Sequence, residues 1–171
     1  MSPLGLFHTA LGVAALVLGA VVLARPKGTR THRIYGYSYV VCMLLLNATA
    51  FGIYRLMGGF GPFHVMALIS LAGLVSGILP VLKKPVSDGA MVGHLMGIGW
   101  SYIGLCAATA AEIAVRVPAL RGSTGGFVFG VMASTGVVVM IGSIALRRYR
   151  GRLMAQMAKP ALPMVTTATL P

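Results

Sequence analysis

Five apolar runs, at about 4–24, 34–54, 62–82, 90–115 and 125–146, are each long enough to cross a bilayer, and only short turns separate them. A helical span needs about 20 mostly apolar residues. Lipid offers the backbone no water, so every N–H and C=O of a span must pair within its own structure, and at this length only the α-helix achieves that. The expected fold is an all-α integral membrane protein, a bundle of about five transmembrane helices forming one domain over 1–152. The turns carry Pro26 and Gly28, Gly58 to Pro62, Pro85 to Gly89, and Pro118 to Thr124, residues that interrupt helices. Residues 153–171, with Pro160, Pro163 and Pro171, have no periodic pattern and are expected to form a mobile cytoplasmic tail.

Charge orients the bundle. Arg25, Lys27, Arg30, Arg33, Lys83, Lys84, Arg147, Arg148, Arg150, Arg152 and Lys159 fall on one side of the spans; Arg55, Arg116 and Arg121 fall on the other. Basic loops stay in the cytoplasm, so the N-terminus is expected outside and the C-terminus inside. The first run lacks preceding basic residues and a small-residue cleavage site, and is read as a retained helix. A net charge of +12 also raises nucleic acid as a partner. The basic residues, however, sit between membrane spans, where they meet an anionic leaflet, and no nucleic-acid role is expected. Asp88 and Glu112 are the only acidic residues, which leaves almost nothing for carboxylate acid–base pairs or hard-metal cages. Cys42 and Cys106 each lie mid-run and read as small buried thiols rather than a disulfide framework.

The candidate chemistry lies in histidine. His8, His32, His64 and His94 occur once in each of the first four segments, all near a segment start. Helices that alternate in direction bring His8 and His64 to the outer face and His32 and His94 to the inner one. Histidine is costly in lipid without a partner and is a common metal ligand. Two facing pairs suit up to two b-type haems, each held by two imidazoles. Two imidazoles per face are too few ligands for a closed zinc site. The competing reading is interfacial, with each ring satisfied by carbonyls and water at headgroup depth. His32, between Thr31 and Arg33 at the boundary, fits that reading best; a cap at Thr29 or Thr31 would instead bring it into the first helical turn.

Glu112 and Arg116 are spaced i, i+4 in the order that favours a helical ion pair near the outer edge. The alternative is a proton or substrate handle at the level of His8 and His64. Tyr37, Trp100 and Tyr102 read as interfacial and packing aromatics. Tyr35 and Tyr39, one turn apart, would line a quinone-like pocket if haem is present. Glycine is frequent within the runs and allows close helix approach in lipid; Gly12 near His8 and Gly97 near His94 are also candidates for seating a flat macrocycle.

The segments Lys27-Gly28-Thr29-Arg30-Thr31-His32-Arg33-Ile34-Tyr35-Gly36 and Gly61-Pro62-Phe63-His64, then His94 followed by Tyr102, together with His8, carry a family resemblance. The chain resembles the bacterial predicted-membrane-protein family catalogued as domain of unknown function 2306, over about residues 4–115. That resemblance implies a multi-pass protein of the bacterial inner membrane and a role for the four histidines, without naming a chemistry. Leu95, Met96 and Gly97 after His94, and Glu112 to Arg116, depart from the basic residues and the Pro-Gly-Arg-like turn expected there. By architecture alone the paired histidines are also similar to transmembrane di-haem cytochromes of the b type.

The leading functional expectation is thus an electron carrier across the bilayer, with His8/His64 and His32/His94 as haem ligands and a quinone or redox protein as partner. The alternative is a non-catalytic helical subunit or assembly factor of a larger membrane complex. A small transporter has less support, since no charged pathway or pair of broken helices is evident.

Overall fold

The structure, a computed structural model, describes residues 2–53, 58–82, 85–118 and 123–157. It is all helical: α1 Pro3–Ala24, α2 Arg30–Ala50, α3 Pro62–Leu82, α4 Asp88–Ala114 and α5 Thr124–Met157. Four of the five starts have a side-chain cap. Ser2, Thr29, Ser87 and Ser123 each accept, through the side-chain oxygen, the N–H three residues on, from Gly5, His32, Ala90 and Gly126. Such caps satisfy donors that a helix leaves open at its N-terminus. At the far end of α1 the Lys27 ammonium donates to the Val22 and Leu23 carbonyls at 2.8 and 2.9 Å, closing the last turn.

Two boundaries differ from expectation. Helix α2 begins at Arg30 rather than near 34, because Thr29 caps it; its first turn therefore includes His32. It ends at Ala50, short of the expected 54. Helix α5 continues past 146 to Met157, so the arginine-rich stretch and the first residues assigned to a tail are helical. The remainder of that tail, 158–171, lies outside the described residues.

Among the described residues four helices are long and apolar enough to cross a membrane: α1, α3, α4 and α5. The remaining one, α2, is a full-length helix with a more polar composition, opening on Arg30, Thr31, His32 and Arg33. Successive helices run in opposite directions, so one end of the bundle gathers the 25–29 loop, the 85–87 turn and the arginines of α5. This is called the basic end below.

Helix α4 is the hub. It packs extensively against α3 and α5 and more lightly against α1, while α2 packs against α1 and α3. Glycine sets the α3–α4 distance. A Cβ on Gly97 would overlap the Gly77 Cα, and a Cβ on Gly77 would lie 2.6 Å from the Ile98 nitrogen. The α4–α5 contact is made the same way, with Ile103 against Gly142 and Leu146 against Gly99. Without a hydrophobic drive between helices in lipid, such close approach and dispersion hold the bundle together. Outward residues such as Phe129, Met132, Met140 and Ile141 on α5 are exposed, as suits a lipid-facing surface.

Candidate functional site

At the basic end, the first turn of α2 and the second turn of α4 bring His32 and His94 together. Their ring centroids are 6.4 Å apart and the planes are nearly perpendicular, at 83°. His94 is oriented by α3: its Nδ1 lies 2.7 Å from the Gly77 carbonyl oxygen. A carbonyl only accepts, so Nδ1 carries the proton and Nε2 keeps its lone pair. Histidines that bind metals are commonly held in this way, with the second ring nitrogen donating to a carbonyl. The His32 ring faces the Val22 carbonyl at the end of α1, and its Nδ1 is buried without a hydrogen-bond partner. Lys27 lies near the same ring.

The other two histidines occupy separate settings. His8 Nδ1 is 2.9 Å from Thr49 Oγ1 on α2. Thr49 donates its own proton to the Leu46 carbonyl, so the His8 Nδ1–H is the donor between them. His64 works at the start of α3, where its Nδ1 accepts the Gly61 N–H at 3.1 Å. Its ring stacks on Phe60 at 5.0 Å and meets Phe51 at 6.1 Å. In the neutral ring that acceptor role puts the proton on Nε2, the wrong tautomer for ligation through Nε2. The structure thus brings His32 and His94 together and gives His8 and His64 different partners.

The remaining candidates resolve as follows. The side chains of Glu112 and Arg116 form the i, i+4 ion pair, on an exposed turn at the end opposite the basic one. Glu112 also lies within electrostatic reach of His8. Tyr39 does not line an open pocket: it is 1% exposed, and its hydroxyl pairs with Ser101 at 3.1 Å in the bundle core. Tyr35 packs against the same core and lies under the Arg25 guanidinium. Tyr102 crosses to α1 and donates to the Leu16 carbonyl, passing over Gly19, where a Cβ would strike its ring. Gly97 serves helix contact, and Gly12 makes only ordinary contact with Leu46. Cys42 and Cys106 are free thiols.

Sequence reasoning missed Ser101, Thr49 and the Gly77 carbonyl. Ser101 had a signal, since it stands two helical turns beyond His94 on the same face of α4. The other two are set by contacts between helices, which no local pattern reports.

A family model described as predicted membrane protein, DUF2306, matches residues 5–145. The chain belongs to the DUF2306 family. DUF2306 membership accounts for the multi-pass helical bundle, and its description names no ligand, so the chemistry rests on the side chains above. Neither the curated proteins nor the solved structures yield a match.

Proposed function

We propose that this DUF2306 protein is a membrane haem protein whose haem b site is formed by His32 and His94 at the basic end. The observation that carries the reading is the approach of these two rings, edge to face, to 6.4 Å between centroids. Two imidazoles at this separation would hold one haem iron between them. The Gly77 carbonyl leaves His94 Nε2 as the free lone pair, and His32 offers a buried Nδ1 with no partner. Among the described residues no three His, Cys, Asp or Glu side chains converge as a bare metal ion would need. Haem would ask fewer ligands of the chain, and His32 and His94 would supply them.

Haem supplies one-electron redox chemistry. The chain supplies the two imidazoles, a low-dielectric setting, and basic residues at the headgroup boundary. Gly36, one turn from His32 on α2, has open space where a Cβ would point. The partner in electron transfer is a quinone or a redox protein reaching the basic end. By the positive-inside rule that end faces the cytoplasm, of a bacterial inner membrane in keeping with the family resemblance. A second haem at the other end would require His8 to leave Thr49 and His64 to give up Gly61, so the proposal is confined to one site.

The test is an absorption spectrum of detergent-purified protein, oxidised and then reduced, with haem supplied during expression. Haem bands are expected in the wild type and in His64→Ala, and their loss in His32→Ala and in His94→Ala. A protein that stays colourless would favour the non-catalytic subunit of a larger membrane complex. Bands that survive both inner substitutions place the chromophore elsewhere and defeat the proposal.

A further inference from the structure

Between α1 and α5, over one face of α4, the bundle leaves a cleft of about 450 Å3. Leu23 of α1, Gly99 and Ile103 of α4, and Val138, Gly142 and Ala145 of α5 contribute to its mainly apolar lining. Tyr149 lines it as well, and the Lys27 ammonium stands 6.0 Å from the Tyr149 ring centroid. The cleft therefore joins hydrocarbon walls to a cation at the basic end.

Among the described residues no acidic side chain pairs with this cation. An ammonium has three N–H donors, and Lys27 directs two of them to the Val22 and Leu23 carbonyls. Of the two acidic residues, Glu112 is tied to Arg116 at the opposite end, and that is the one ion pair among the described residues. Among the described residues Asp88 is the one acidic residue at the basic end, against eight Lys and Arg there. That leaves Lys27 available to an anion from outside the bundle. A partner helix, about 10 Å across with its side chains, is far too large for the cleft. A single hydrocarbon chain is not.

We propose that the cleft binds one anionic phospholipid of the leaflet at the basic end, with an acyl chain along α4 and the headgroup phosphate on Lys27. The apolar walls select the chain and the spare Lys27 donor selects the charge. The cleft lining lies on a face of α4 that does not include His94, while Lys27, which also lies near the His32 ring, stands between the two sites.

Native mass spectrometry of the detergent-purified full chain tests it, with phosphatidylglycerol and phosphatidylcholine of identical acyl chains as probes. One phosphatidylglycerol should be retained in preference to phosphatidylcholine. Lys27→Gln should reduce that preference about fivefold, the worth of one basic residue at an anionic membrane surface. Ala145→Phe, which fills the cleft from an exposed position, should abolish retention while leaving the basic residues in place. Soluble glycerol phosphate should not be retained. Equal retention of the two lipids by the wild type overturns the proposal, as does undiminished retention by Ala145→Phe or tight binding of glycerol phosphate. If Lys27→Gln fails to fold, the Ala145 variant still decides.

Discussion

The carbonyl oxygen of Gly77 holds the imidazole of His94 at 2.7 Å, and the same glycine is where α3 and α4 come into backbone contact. Orientation of the candidate ligand thus depends on helix packing. Gly97, three residues beyond His94, makes the other half of that contact, so the small-residue stripe and the histidine belong to one device.

Gly97→Leu should therefore harm both stability and haem retention. A side chain at this position meets α3 backbone, which cannot yield as a flexible side-chain tip does. Overpacking of this kind costs about 1–3 kcal/mol. The expected result is a lowered unfolding midpoint in detergent together with weakened haem bands. A stable variant with wild-type midpoint would show that α3 and α4 do not pack as described.

Tyr39 and Ser101 supply a buried test of polar packing. Side-chain hydrogen bonds inside membrane bundles are worth about 0.6 kcal/mol on average and up to roughly 1.7. Tyr39→Phe and Ser101→Ala should each cost about that much, and the double variant should cost little more than either alone. Fully additive losses in the double-mutant cycle would mean that the 3.1 Å contact contributes nothing.

Lys27 gives a pH signature. Burial lowers its pKa below the ordinary 10.5. Between that lowered value and 10.5 the unfolded chain holds the proton more tightly than the folded one, so this group makes stability rise with pH across the window and adds no slope above it. Wild type and Lys27→Met should therefore diverge in slope when midpoints are measured from neutral pH to just beyond 10.5. The variant should also lose the two bonds that close α1. Parallel pH curves would contradict the partial burial of the ammonium.

Orientation is accessible to reporter fusions. A reporter joined at Pro118, between α4 and α5, should be active outside the cytoplasm, and one joined after Arg152 should be active within it. The reverse result would place the basic end, and the His32/His94 site with it, on the outer side.

Length and apolarity alone determined the helical spans, because lipid leaves a backbone of about 20 residues no other way to satisfy itself. The starts of α1, α3, α4 and α5 were legible to within a few residues for the same reason. The start of α2 was not, since Thr29 draws a polar first turn into the helix through a cap that apolarity does not register. Arginines likewise hid the continuation of α5 to Met157. Histidine number and alternating helix direction brought His32 and His94 to one end of the bundle, and there sequence reached its limit. Equal depth does not fix which way a ring points. Thr49 takes His8, Gly61 and Phe60 take His64, and Gly77 turns His94 toward His32, each through rotation about a helix axis that local spacing leaves free. That rotation is set by which glycines let two backbones touch, a property of pairs of helices that belongs to the tertiary structure alone.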